Sequence, residues 1–455
     1  MSGRMALLLV AGLTATMMIV NATMNTGDAV DNFAEYFDRS NAYDIALSGA
    51  NMAANQLYFN KFYRGHWKNK VDMPQGGTLD VVIQNVGSRV QVISTGVYAS
   101  VGLSQKTQQI VYYLEPGYFD RFVLLTDNDD GTVPWTTYDT ARGALHSNNT
   151  LRMDHYGGNP IMPVFNGPVT TTRPITITAG TVPVFAVPPQ SGVSVEFPTS
   201  FDPVTDPPFL PGVGGFSTSI TAGNGLINLT TTKEVHLQFF VDGSGNQMIR
   251  YFRTGPKRMT NGYNPNYYGD FVVTDSVVAA PSDGIIYEPG VDVFVEGTVK
   301  GKLSVLTTPD GSGVGGNIIV TNDLLCNTNP VTDGSSPDFI GLLANNNVII
   351  ANTSNNNATT SGSNRFKIQA SIVALTGGLA AADNITRKRQ LLDIYGSITQ
   401  KFRRAVGDGS LSIGSSTGGF MKGYRYDQRL FFDHALLMPK TPLLALDSWL
   451  ITTVP

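Results

Sequence analysis

Cysteine is almost absent. Cys326 stands alone among 455 residues, which excludes an intrachain disulfide framework and any zinc site built on cysteine thiolates. Charge is scarce as well: 15% of residues are charged and the net charge is -4 at pH 7, so bulk electrostatics point to neither a nucleic-acid partner nor a polyanionic tail. The histidines, His66, His146, His155, His236 and His434, are scattered without HExxH or paired spacing, which argues against catalytic zinc. His146 reads as a hydrogen-bonded turn histidine. No GxxxxGKS phosphate loop occurs. Gly311-Ser312-Gly313 and Gly243-Ser244-Gly245 follow aspartates in hairpin-like turns and lack the strand-to-helix setting of a nucleophile elbow. The expectation is no catalytic residue, no cofactor and no resident metal.

What the chain does have is a long apolar start. Met5 to Val20 is an unbroken apolar run, and no charged residue falls between Arg4 and Asp28. Beyond it Val30, Phe33, Phe37, Ala42, Ala46, Gly49, Ala50, Ala53 and Leu57 recur at spacings of three and four, which predicts one continuous helix out to about residue 60. A helix of about 55 residues measures roughly 80 Å at 1.5 Å per residue, more than a globular domain hides. Something other than the chain's own core must cover it. The apolar run is slightly short for a bilayer span. With Arg4 before it and Asp28, Asp31, Glu35 and Asp38 after it, the positive-inside bias puts the N-terminus in the cytoplasm and the rest outside. A cleaved secretory signal is the competing reading of the same run.

The remainder is rich in turn residues, with 48 Gly and 25 Pro, and favours β-structure. Residues 61 to 75, with Lys61, Arg64, Lys68 and Lys70, read as a solvated loop. The segments TLDVVIQNV, SRVQVISTGVYAS and KTQQIVYYLEP predict a three-stranded antiparallel sheet within 61–116, suited to packing on the rod. Residues 117–455 form a large β-rich part. Within it, 173–275 is an elaboration containing a Pro-rich span and the hairpin EVHLQFFVDGSGNQMIRYFR, with its turn at Asp242 to Gly245. After Asp283, apolar strands closed by Gly or Asn recur about every twenty to twenty-six residues, the period of a solenoid coil or stacked sheets, with a β-sandwich as the alternative. The fold class expected is α+β, mostly β: helix 1–60, small antiparallel sheet, then a solenoid, β-helix or stacked-sheet body.

Several polar groups invite chemistry and have plainer readings. Asp127, Asp129 and Asp130 before Gly131, and Asp242 with Ser244 and Asn246, supply hard oxygen ligands but no distal Glu, so turn chemistry is the expectation. Arg387, Lys388 and Arg389, and Lys401, Arg403 and Arg404, read as solvated turns. The Asn runs 345–347 and 355–357 read as left-handed turn residues rather than as a stacked ladder. The sequons Asn228 to Thr230 and Asn384 to Thr386 are of the kind that an Asn- and Thr-rich chain produces by chance.

Ser2-Gly3-Arg4-Met5-Ala6-Leu7-Leu8-Leu9-Val10 resembles the start of type IV pilin-like proteins of the PilX kind. The resemblance implies a helix that is first a membrane anchor and then a filament core, with cleavage after Gly3 and before Arg4; the fifth residue after that cut is Leu8, where the family has Glu. A second resemblance covers roughly 117 to 450 and is to a bacterial domain family of unknown function that commonly follows pilin-like N-termini. It is carried by Trp135 to Asp139, Gly143 to Asn148, Gly284 to Tyr287, Gly341 to Asn346 and Tyr424 to Leu430. Together these imply a non-enzymatic subunit of an extracellular filament, or a filament-associated protein. Its assembly residues would be Met5, Leu8, Leu9, Leu13, Met17, Val20, Val30, Phe33, Phe37, Ala46, Ala50, Ala53 and Leu57. The implied partners are other copies of the chain, the inner membrane before assembly and pilus-type assembly machinery, with no nucleic acid. The alternatives are a membrane-anchored envelope or adhesion protein that does not polymerise, and a polysaccharide-acting solenoid enzyme.

Overall fold

The computed structural model describes residues 2–74, 76–86, 89–100, 104–129, 131–155, 162–198, 234–254, 272–288, 290–309, 311, 313, 315–351, 365–382, 390–407 and 418–454, with helix side chains described from Thr14 onward except 25, 27 and 28. Its backbone divides into two units, Met1–Gly117 with Pro442–Pro455, and Tyr118–Thr441. The first unit therefore takes its members from both ends of the sequence.

In the first unit, α1 runs unbroken from Ser2 to Phe59. No proline precedes Pro74, so nothing removes a helical N–H along its length. The sheet has five strands, not three. β1 (Gly65–Asp72), β2 (Thr78–Val86), β3 (Arg89–Tyr98) and β4 (Lys106–Tyr118) lie in that order, the first three pairings antiparallel, and the strand Lys440–Val454 adds to β4. β1 occupies the stretch read as a solvated loop. Its sequence hides it: the pairing with β2 shifts register between His66 and Lys68 and again between Lys68 and Val71, and Lys70 has φ 48°. Such bulges and lysines keep an edge strand from pairing further, and they erase the alternation by which strands are recognised.

The C-terminal half of α1 packs on one face of this sheet. Ile45, Ala46, Ala50, Ala53 and Leu57 meet Leu79, Val81, Ile83, Val90, Val92, Ile110 and Tyr112. Small residues bring helix and sheet so close that a Cβ on Gly96 would lie 2.1 Å from the Ala42 carbonyl oxygen, so that position accepts only glycine. Two side chains fasten the contact by donating to helix carbonyls: Ser94 Oγ to Ala46 O at 2.7 Å and Tyr112 Oη to Ala50 O at 2.9 Å.

The second unit is built on parallel pairing. One ladder runs Glu234–Val241, Asp292–Val299, Ile318–Cys326 and on through Val348–Ile350 and Leu379–Ala381, and through Arg365–Ile368 to Gln390–Phe402 and Phe420–Tyr426. A second runs Ile285–Tyr287, Lys302–Thr307, Phe339–Ala344, Ser371–Ala374 and Gln390–Phe402. The thirteen-residue strand Gln390–Phe402 serves both. It turns at Gly396, whose φ of 154° and a would-be Cβ 2.0 Å from Ala370 O admit no side chain. Register aligns like with like: Val293, Ile318, Val348 and Leu379 are successive partners, all buried. The expected hairpin is present as Glu234–Val241 against Gln247–Thr254, antiparallel.

Residues 124–191 extend the same ladders, a pairing that no local pattern in their short strands reports. Leu124–Asn128 pairs in parallel with Gln390–Phe402, and Thr140–Arg142 with Phe420–Tyr426. Leu145–Ser147, Val164–Phe165, Val169–Thr171, Val184–Phe185 and Gln190–Ser191 continue outward. Segments of two or three residues carry too little alternation to be read as strands. Strands early in the chain are thus stacked after strands late in the chain.

The candidate assembly surface

The exposed surface of α1 begins where its packed face ends. Ala46, Ala50, Ala53 and Leu57 are buried on the sheet, whereas Met17, Val20, Val30, Phe33 and Phe37, expected with them as assembly residues, are 49 to 71% exposed. Met18, Ile19, Met24 and Tyr36 are exposed with them. These positions wrap round the helix, so no single face of it is reserved for this chain's own core. Thr23 and Thr26 donate to Ile19 O and Ala22 O, each at 2.7 Å, which satisfies their hydroxyls without water or a partner. The segment is therefore ready for apolar surroundings. Gly3, Arg4, Met5, Leu8, Leu9 and Leu13 lie in the helix with side chains outside the described residues. Among the described residues no helix is long and apolar enough to cross a membrane.

Near the sheet the helix becomes polar in an ordered way. Asp38 is buried and its carboxylate accepts from the Ser100 N–H at 3.1 Å and from the Ser100 hydroxyl. Glu35 accepts from Lys106 Nζ at 2.9 Å and Arg39 Nη2 at 2.7 Å. The Lys106 bond, then the Arg39 bond, hold its carboxyl below the ordinary range.

The polar groups of the second unit are engaged with each other. Arg403, read as a solvated turn residue, is buried and paired with Asp129 at 2.9 Å; Lys422 is paired with Asp139, and both cations lie over the buried Trp135 ring, at 4.8 and 5.4 Å from its centroid. Lys401 bonds Asp127. These aspartates are paired with cationic side chains, whereas the Asp242 carboxylate accepts from the backbone N–H groups of Ser244 and Asn246 in its turn. Among the described residues no group of three or more His, Cys, Asp and Glu side chains is placed to hold a metal. Arg387, Lys388, Arg389, Asp130, Ser312, the Asn run 355–357, both sequons and most of the Pro-rich span fall outside the described residues.

His146 is buried, with Nε2 against Asn148 Oδ1 at 2.9 Å and Nδ1 against the Thr170 hydroxyl at 2.7 Å. Burial, chiefly, lowers its pKa. A shallow cleft of about 760 Å³ is bordered by Lys300, Lys302, Asp283 and Asp338. Its polar groups are committed: Asp338 accepts from the N–H groups of Gly301 and Thr328, Lys300 donates to Gly245 O, and Lys302 bonds Asp433.

The Asn run 345–347 overturns its sequence reading. None of the three has a positive φ. Instead Asn317 donates its N–H and Nδ2 to Asp292 Oδ1, Asn347 donates its N–H and Nδ2 to Asn317 Oδ1, and Gly378 N–H donates to Asn347 Oδ1, at 2.8 to 3.2 Å. This is a ladder of amides across successive strands. The segments that carried the second resemblance also meet in part, since Trp135 lies edge-on to Tyr424 at 5.9 Å.

No protein-family model matches this chain. No curated protein matches it either. A solved structure, that of the competence-associated pilin ComZ from Thermus thermophilus, aligns over 92% of this chain and 98% of its own at 10% identity, with a TM-score of 0.28. A likeness so loose carries no argument about the fold or the role of this chain.

Proposed function

We propose that this chain is a non-enzymatic structural subunit of a type IV pilus-like extracellular filament, or a pilin-like protein associated with one. Its N-terminal helix is held first in the inner membrane and then among the helices of other copies, reached through pilus-type machinery after cleavage at Gly3. The observation that carries the reading is the belt of large apolar side chains from Met17 to Phe37, exposed on every face of the helix. Each such side chain gains about 1.5–3 kcal/mol when fully covered, so a rod bearing nine of them favours company. The paired parallel ladders of the second unit are read as a β-helix, and the first unit as a small pilin-like head.

The test is recovery of the chain from sheared cell-surface material, with mass analysis of its N-terminus. A start at Arg4 in filament fractions, and loss of those filaments when residues 1–27 are deleted, is the expected result. Membrane fractions that retain the chain while sheared filaments lack it would instead select an anchored protein that does not polymerise.

A further inference from the structure

We propose that the C-terminal end of α1 is the docking surface for a second copy of this chain, and that what it receives is the stretch Asp31 to Asp44 of that copy's α1. The proposal rests on the filament reading and adds which part of one copy meets which part of the next.

The last turn of α1 exposes Tyr58 and Phe59, 73 and 78% accessible, with ring centroids 5.4 Å apart and nearly perpendicular. Phe62 follows at 79%, with Lys61 Nζ 5.3 Å from its centroid, and Lys68 Nζ lies 4.9 Å from the Trp67 ring. Lys61 and Arg64 follow these rings in the sequence and Lys68 and Lys70 lie on β1, with Asp72 at the end of that strand and Asp80 between its partners on β2. None of the four cations has a carboxylate partner among the described residues: Arg64 donates to the Asn85 side chain and to the carbonyls of Lys61 and Tyr63. Exposed rings beside cations that lack carboxylate partners have the anatomy of an interface.

The complementary pattern lies further up the same helix. Residues 31–44 contain Asp31, Glu35, Asp38 and Asp44 against Arg39. Glu35 and Asp38 are engaged within the chain, while Asp31 and Asp44 are exposed and flank the exposed rings of Phe33, Tyr36 and Phe37. The two patches cannot meet within one rigid rod. Their centres, near residues 37 and 59, are separated by roughly 33 Å at 1.5 Å per residue. Sliding one copy along another by that amount brings acids to cations and ring to ring. The contact joins unlike patches, so it repeats head to tail without closing on itself. Complementary charge sets the register and the apolar rings supply the area.

Engineered cysteines read the register directly. Cys326 is buried and burial pushes its thiol up to about 12, so it stays silent. Full-length chains bearing Phe33→Cys and Tyr58→Cys, mixed and mildly oxidised, should form a disulfide-linked dimer that neither gives alone and that Phe33→Cys does not give with Val187→Cys. In parallel, Lys61→Glu with Lys68→Glu should weaken self-association about tenfold or more without moving the thermal transition, and Asp31→Lys with Asp44→Lys in the partner copy should restore it. Wild-type assembly by the Lys61/Lys68 variant, or no mix-specific cross-link in material that assembles, overturns the register and leaves the filament reading standing. Absence of association even by wild type overturns both. Loss of single-stranded nucleic acid binding in the Lys61/Lys68 variant, with assembly intact, assigns the patch to an anionic polymer instead.

Discussion

His146 shows how a side chain suited to catalysis is used for architecture. Asn148 Oδ1 accepts, so Nε2 carries the proton and the neutral ring takes the Thr170 hydroxyl on Nδ1. Burial lowers the pKa in the fold, whereas the unfolded chain titrates near the ordinary value of about 6.5. Below that pH the unfolded state binds the proton that the folded state refuses, so stability from this residue is full above about 6.5 and declines as pH falls. His146→Gln keeps a polar partner and does not titrate. Denaturant unfolding at pH 7.5 and pH 5.5 should show the gap between wild type and His146→Gln narrowing at the lower pH; a constant gap would remove the argument. Asp120 works in the opposite sense, since burial above all raises its pKa, against the lowering bond from His434. The comparison with the variant isolates His146. Arg403 and Asp129 carry the same lesson for charge. Truncating one partner of a pair this buried costs about 3–5 kcal/mol, whereas replacing both by apolar residues is often neutral.

Within the ladders, the amide row Asp292, Asn317 and Asn347 is the element the sequence disguised. An asparagine run in a Gly- and Asn-rich chain looks like turn chemistry, because isolated asparagines do tolerate left-handed backbone. What makes it a ladder is parallel stacking, which places identical positions of successive strands side by side so that each amide closes the next one's bonds. Asn317→Ala sits in the middle and removes the Nδ2 bond to Asp292 and the Oδ1 that accepts both Asn347 bonds. A loss of about 1–3 kcal/mol is expected, against well under half of that for an Asn345→Ala control, measured by urea unfolding. Equal losses at the two positions would mean that the row is incidental. On α1 the same logic of position applies. The spacing of Ala42 to Leu57 identified the packed face, but the stripe it predicted splits in two: the half opposite the sheet is buried, and Val30, Phe33 and Phe37 are left exposed.

The order of strands in the second unit is not the order of the chain. Segments 124–191 stack on segments 390–426 across sequence separations of more than 270 residues, as in the bond from Gln400 to Thr126. The junction holds the parallel pairings, the buried pairs Arg403 with Asp129 and Lys422 with Asp139, and Trp135 between them. The molecule is thus closed by contacts between its early and late parts, and should tolerate a broken chain between them. Residues 1–198 and 199–455 expressed as separate chains are expected to copurify at equal stoichiometry, and Arg403→Met should reduce the yield of the complex. Recovery of either piece alone, with the other insoluble, would show that covalent continuity is needed.

The helix, its small-residue packing face, the first antiparallel strands and the hairpin at Asp242 were written in the sequence because each depends on local periodicity or on a turn residue a few positions away. β1 was hidden by its bulges, and the strands within 124–191 by their shortness. The fifth strand of the first sheet, Lys440–Val454, and the stacking of early strands on late ones depend on pairings between residues hundreds of positions apart, and no local pattern reports those. The commitment of Asp127, Asp129, Arg403 and Asn317 was decided in the same way, since a carboxylate or amide in a sequence shows only what it can bond. Its neighbours in space, brought there by the ladder register, decide what it does bond.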